Sequence, residues 1–124
     1  MAVPDWFEET LARQLAMTPQ TWAALQSHGV DESTPLRLDF LFRAPAEQAA
    51  EELAAFLKLE TDYAIEVDFE RDADGEPVDW SVAGSTDPTA VSQAILEDWV
   101  RWLVAAGASY GPCVFDGWGA AVGG

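Results

Sequence analysis

Residues that could do catalytic chemistry are scarce in this chain of 124 residues. His28 is the only histidine, Cys113 the only cysteine and Lys58 the only lysine. The sequence contains no serine nucleophile elbow, phosphate-binding loop or zinc-ligand spacing. We expect His28, which precedes Gly29, to end a helix, and Cys113 to be a small buried residue. These residues predict a protein that is not an enzyme and that uses no cofactor or metal.

Carboxylates, by contrast, are abundant. The chain has 22 Asp and Glu against 6 Lys and Arg, a net charge of −16. This balance disfavours direct binding to nucleic acid or to an anionic membrane, and favours a basic protein segment or a cation. Residues 60–79 hold nine carboxylates and one cation, Arg71. This run is either a solubilising strand face or a surface that steers a basic partner. The carboxylates proposed for such a surface are Glu66, Asp68, Glu70, Asp72, Asp74 and Asp79.

Part of this acidic run matches the sequence pattern of the first half of a calcium-binding loop. Glu70, Asp72 and Asp74 would occupy positions one, three and five, with Gly75 at position six. Position twelve would be Ser81, where the loop needs a bidentate Glu, and predicted strands flank the segment. The pattern therefore argues against a calcium site.

The elements that position these residues are predicted from hydrophobic periodicity. Two helices, about 5–17 and 18–29, form an N-terminal arm over residues 1–30, with Asp5 and Glu8 as a capping box. Residues 31–124 then follow the order β-α-β-β-α-β. The strands are expected near 36–43, 63–70, 78–84 and 113–122. The crossing helices are expected to begin at Pro45 and at Asp87-Pro88, the second one ending at Gly107.

This order is that of a ferredoxin-like α+β sandwich, with a four-stranded antiparallel sheet and two helices on one face. Trp80, Trp99 and Trp102 are expected in the core, with Ile95 on the apolar side of the second crossing helix. The other face of the sheet stays open unless the arm folds across it. The side chains predicted on that open face are Arg37, Asp39, Leu41, Arg43, Glu66, Asp68, Glu70, Asp79 and Ser81.

The last strand contains the tetrad Asp116-Gly117-Trp118-Gly119. Its two glycines predict a bulge or kink. Trp118 is then either a packing joint or a half-exposed recognition ring, and Asp116 is expected to be a buried acceptor of backbone hydrogen bonds. A small-ligand or enzymatic pocket formed by Asp116, Trp118 and His28 is the alternative function.

The segment Phe115-Asp116-Gly117-Trp118-Gly119, preceded by a long amphipathic helix, resembles a bacterial family of ribonuclease E inhibitors, the regulators of ribonuclease activity B. The similarity spans roughly residues 28–122 and includes the segments 28–31, 36–42 and 99–107. It implies a ferredoxin-like fold and a protein that binds RNase E and regulates RNA decay without being an enzyme. The tetrad residues Asp116, Gly117, Trp118 and Gly119 thus join the six hairpin carboxylates as the expected partner-binding set.

The beginning of the chain, Met1-Ala2-Val3-Pro4-Asp5, lacks the pattern of a signal peptide. No apolar run reaches the roughly 20 residues that a membrane-spanning helix needs. We therefore expect a cytoplasmic protein. We also expect it to be a monomer or a weak homodimer.

Overall fold

The computed structural model describes residues 4–122. The ends of the two predicted domains, residues 1–3 and 123–124, lie outside this range. Its elements are, in chain order, α1 Phe7–Ser27, β1 Pro35–Arg43, α2 Glu47–Glu60, β2 Ala64–Arg71, β3 Pro77–Ser85, β4 Thr89–Ala90, α3 Gln93–Ser109 and β5 Val114–Val122.

The sheet is antiparallel and centred on β1. β3 and β5 pair along opposite edges of β1, and β2 pairs with the far edge of β3. The short strand β4 pairs with Pro35 and Leu36, on the side of β1 that β3 also occupies. The four long strands thus have the order β2-β3-β1-β5. This order and the two crossing helices confirm the predicted ferredoxin-like α+β sandwich.

One face of the sheet carries the core. Leu36, Leu38, Phe40 and Phe42 alternate along β1, and all four are buried. They pack under α2 and α3 with apolar residues of these helices. Helix α1 lies against α3 and β5 rather than across the open side of the sheet. The opposite face therefore stays free of helices within residues 4–122.

Helix α1 differs from its prediction. It runs through Pro19 as one helix, and its N-cap Trp6 makes no side-chain cap hydrogen bond, so the predicted break and the Asp5 capping box are both wrong. Every fourth residue along one face of α1 is buried, and this packing keeps the helix continuous despite the N–H that Pro19 lacks. The buried residues are Thr10, Gln14, Thr18 and Trp22.

The end of α1 is as predicted. Gly29 follows the C-cap His28 and has φ of +92°, a left-handed conformation that glycine adopts without steric cost. The N–H of Gly29 donates to Gln26 O at 3.0 Å, and that of Val30 donates to Leu25 O at 3.1 Å. This is a Schellman motif, in which two carbonyls at the end of the helix find donors.

Helix α3 begins later than the sequence suggested. Ser92 is its N-cap and accepts a hydrogen bond from Ile95 N at 3.2 Å, whereas the stretch after Asp87-Pro88 pairs with β1 as β4. Gly107 does not end the helix. It lies inside α3 where the carbonyl oxygen of Cys113 and the ring of Phe42 leave no room for a Cβ atom.

The apolar side of α3 also differs from the prediction. Its buried residues are Leu96, Val100, Leu103, Val104, Ala106 and Gly107. Trp102 is 38% exposed, so its assignment to the core is wrong, and Ile95, expected on the apolar side of the helix, is 53% exposed. Trp99 and Trp80 are half-buried and pack against the core as expected.

Candidate functional site

The acidic hairpin, defined here as residues 64–85, presents carboxylates on the open face of the sheet. Along β2, Glu66, Asp68 and Glu70 are exposed, and the residues between them are half-buried on the helix side. This alternation follows from the period of two of a β-strand. Since β2 is an outer strand of the sheet, the three carboxylates line one side of the open face.

The turn of the hairpin uses one of the predicted carboxylates for itself. Asp72 Oδ1 accepts hydrogen bonds from the N–H groups of Asp74 at 2.9 Å and Glu76 at 3.0 Å. Arg71 Nη1 donates to the carbonyl of Gly75 at 2.8 Å, and Gly75 has φ of +81°. Asp72 therefore shapes the turn.

A bulge, which the sequence analysis missed, places Asp79. The register changes from Asp68 opposite Ser81 to Glu70 opposite Val78, so β3 has one extra residue here. Asp79 has φ of +52°, a left-handed conformation that Asp adopts more readily than most residues. It lies beside Asp68 and Glu70 in a shallow groove of the open face. No glycine marks this position, so the sequence carried no clear signal for the bulge.

The predicted bulge in β5 is present, and Asp116 is its extra residue. Leu41 pairs with Gly117 and Phe42 pairs with Phe115, which leaves Asp116 without a partner in β1. Its side chain is 44% exposed, and Oδ2 lies 3.5 Å from Nε of Arg43. The expectation that Asp116 is a buried acceptor is wrong, because the bulge turns its carboxylate towards the solvent.

Trp118 belongs to the helix side of the sheet. Its ring packs against both core clusters and meets Trp99 edge-to-face, with centroids 6.0 Å apart. Gly117 and Gly119 are opposite Leu41 and Asp39 on the open face. A Cβ atom added to either glycine would meet nothing within 4 Å. Trp118 is thus a packing joint whose ring lies under a flat surface lined by glycine.

This flat surface is part of a shallow groove of about 350 Å³ that Asp116, Gly117 and Gly119 line together with Asp39. The groove extends across β1 to Ala83 of β3, and these two strands lie between the glycines of β5 and the carboxylates of β2. The structure therefore places most of the predicted residues on one face in two parts, whereas the Trp118 ring lies on the helix side and Asp72 and Asp74 lie in the hairpin turn. The first is the acidic hairpin, and the second is the glycine surface.

The alternative pocket of Asp116, Trp118 and His28 does not form. The Asp116 carboxylate is on the open face, whereas the Trp118 ring is under the helices. His28 is the exposed C-cap of α1 and does not line the groove that Asp116 shares with Gly117. A ligand that needs these three side chains would find no common cleft.

The cysteine and the possible metal ligands form no further site among residues 4–122. Cys113 is fully buried, as predicted, and Sγ lies 3.5 Å from the carbonyl oxygen of Ala49. Burial raises the pKa of the Cys113 thiol to about 11, and the negative charge of Glu52 acts in the same direction. Between residues 4 and 122, no cluster of three or more His, Cys, Asp or Glu side chains is arranged to hold a metal ion.

Fold and site together define an acidic, ferredoxin-like α+β domain with an uncovered sheet face. A family model described as Regulator of ribonuclease activity B matches residues 15–120, and the chain belongs to this family. The match confirms the resemblance seen in the sequence and extends it into α1. No curated protein matches the chain. Along the described part of the chain, no helix has the length and apolar character needed to cross a membrane.

Proposed function

We propose that this protein is a non-enzymatic regulator of RNase E that acts in the cytoplasm by binding a basic segment of a protein partner. Membership of a family of ribonuclease regulators supports the class of function. The observation that carries the choice of surface is the exposure of Glu66, Asp68, Glu70 and Asp79 along one side of an uncovered sheet face.

Electrostatics favours this surface over the rest of the open face. β1 contributes Arg37 and Arg43 as well as Asp39. Arg43 is within ion-pair distance of Asp116, and it also lines the groove of Asp68, Glu70 and Asp79, where the carboxylates outnumber it. The hairpin has Arg71 as its one cation, and this side chain is occupied by the turn carbonyl and the face of the Phe69 ring. A basic segment therefore meets its strongest attraction at the hairpin.

The glycine surface is the proposed second part of the same interface. A partner backbone can approach closely where Gly117 and Gly119 lack side chains, and Asp116 adds a carboxylate at its border. Trp118 supports this surface from the helix side. A basic segment held along these two parts is no longer free to contact RNA phosphates, which gives a physical route to regulation.

The test is the association rate with an RNase E fragment that contains basic segments. The variant carries Glu66→Gln, Glu70→Gln, Asp74→Asn and Asp79→Asn. These substitutions remove four negative charges and change the net charge from −16 to −12. It leaves Asp68 and Asp72 intact because their carboxylates accept backbone hydrogen bonds. Asn also tolerates the left-handed backbone at position 79.

The matched control removes the same charge elsewhere, through Asp5→Asn, Glu9→Gln, Glu32→Gln and Glu51→Gln, all exposed and outside the hairpin. We expect the hairpin variant to associate roughly tenfold more slowly at low salt, with a flatter salt dependence, and the control to change much less. Equal rates for the two variants would show that the hairpin acts only through net charge. Unchanged association in both would reject electrostatic capture.

A further inference from the structure

A second surface, on the helix side of the molecule, combines apolar and acidic groups. A groove of about 530 Å³ lies between the segment that follows α2 and the beginning of α3. Its apolar lining includes Leu38, Val91, Leu96 and Trp99. Among its lining residues, Trp99 Nε1 donates a hydrogen bond to the hydroxyl of Tyr63 at 3.1 Å. A neighbouring hollow of about 460 Å³ shares Trp99 and continues the groove to Trp102. We call the two together the helical groove.

Two exposed apolar side chains of α3 belong to this groove. Ile95 and Trp102 each lie about one helical turn along α3 from the half-buried Trp99, on either side of it, and they are 53% and 38% exposed. Beyond Trp102, the ring of Phe56 stacks against those of Trp102 and Tyr110, with centroids 5.9 and 3.9 Å away. An apolar band of this kind at the surface of an otherwise highly charged protein is typical of a protein contact.

The charges that border the helical groove are all negative. Glu60, Asp62 and Asp87 are exposed at its border, and none of them has an ion-pair partner among residues 4–122. Asp98, at the far end, is bound to Arg101 at 3.0 Å. No Lys, Arg or His is among the residues that line the two hollows. The groove thus matches an occupant with apolar side chains flanked by positive ones.

We propose that the helical groove is a docking site for a linear peptide segment in which Arg or Lys residues flank an aliphatic residue. The aliphatic side chain lies over Ile95 and Trp99, and the cations pair with Asp62 and Asp87 or stack on the exposed Trp102 ring. The site is separate from the acidic hairpin and does not depend on which protein supplies the segment.

A second copy of this chain is a poorer occupant. Each copy carries a net charge of −16, so bringing two acidic borders together is repulsive. A basic segment can also cover the apolar band, and its positive charges attract the carboxylates at the border. Charge complementarity therefore selects a basic partner over self-association.

The test titrates the ¹⁵N-labelled protein with the peptide acetyl-Gly-Arg-Leu-Arg-Gly-amide and follows the indole N–H signals of Trp99 and Trp102 by NMR. Comparison peptides replace both arginines with glutamate, or leucine with glycine. We expect saturable shifts of the two indole signals with the first peptide, none with the glutamate peptide, and roughly fivefold weaker binding with the glycine peptide.

Two double variants locate the site. Asp62→Asn with Asp87→Asn removes two charges at the groove, and the control variant Asp5→Asn with Glu32→Gln removes two charges outside both the groove and the hairpin, all four side chains being exposed. The groove variant is expected to bind the arginine peptide roughly fivefold to tenfold more weakly, and the control variant to bind it within about twofold of the wild type. The proposal is overturned by equal weakening in both variants, by shifts confined to the hairpin, or by no saturation in the millimolar range. Indole shifts that depend on protein concentration without peptide would assign the groove to self-association instead.

Discussion

Replacing Gly107 by alanine is expected to destabilise the fold substantially, although alanine is the better helix former. A Cβ atom there would overlap the carbonyl oxygen of Cys113 and lie 2.7 Å from Cε1 of Phe42. Neither neighbour can move easily, because both residues are fully buried and the Cys113 N–H donates to Gly107 O at 2.7 Å. Overpacking of this kind costs about 3 kcal/mol, and the helix preference of alanine returns about 1 kcal/mol. The net loss is about 2 kcal/mol.

Urea and thermal unfolding followed by circular dichroism measure this effect. For a domain of this size, about 2 kcal/mol corresponds to a lowering of Tm by roughly 8 °C. Gly119→Ala is the matched control, because an added Cβ atom there meets nothing within 4 Å and the backbone needs no positive φ. Its stability should stay within about 0.5 kcal/mol of the wild type. A Gly107→Ala variant as stable as the control would refute the close packing of α3 on Phe42 of β1 and on Cys113, which precedes β5.

Three further predictions concern single side chains. Because burial raises its pKa to about 11, Cys113 should resist iodoacetamide at pH 8 in the native protein and react quickly once unfolded, and equal rates would place the thiol at the surface. Hydrogen bonds from the side chain and backbone of Ser33 hold the pKa of Asp31 below its ordinary 3.8. The Asp31 carboxylate therefore contributes stability above pH 3.8, and this contribution is lost as the pH falls through the native pKa. An NMR titration of Asp31 with a midpoint at or above 3.8 would contradict this. Asp116→Ala should cost less than Asp72→Ala in urea unfolding, because an exposed ion pair contributes about 0.5 kcal/mol whereas Asp72 accepts two turn hydrogen bonds worth about 1 kcal/mol each, and the reverse order would restore a structural role for Asp116.

The sheet and its two crossing helices could be predicted because their patterns are local. Leu36, Leu38, Phe40 and Phe42 alternate strictly, and this period fixed which face of β1 is buried. The helix break predicted at Thr18-Pro19 does not occur, because contacts with α3 and β5, which are distant in sequence, keep α1 continuous through the proline. Local propensity cannot report such contacts.

Only part of the candidate site could be predicted, because only some of its features depend on local sequence patterns. Alternation placed Glu66, Asp68 and Glu70 on the open face correctly. The glycine tetrad revealed the bulge at Asp116 but not the direction of its carboxylate, which depends on Arg43 in a neighbouring strand. α3 has more apolar residues than its buried stripe can take, and only the packing of the three helices decides that Ile95 and Trp102 stay at the surface.

The most direct test of the proposed function is the initial rate of RNA cleavage by purified RNase E in the presence of this protein. The wild-type chain and the variant with Asp5, Glu9, Glu32 and Glu51 neutralised should slow cleavage to a similar degree. The hairpin variant, with equal net charge, should need roughly tenfold more protein for the same effect. Cleavage that the wild-type chain leaves unchanged would contradict regulation of RNase E, and equal potency of the two variants would contradict the acidic hairpin as the surface that achieves it.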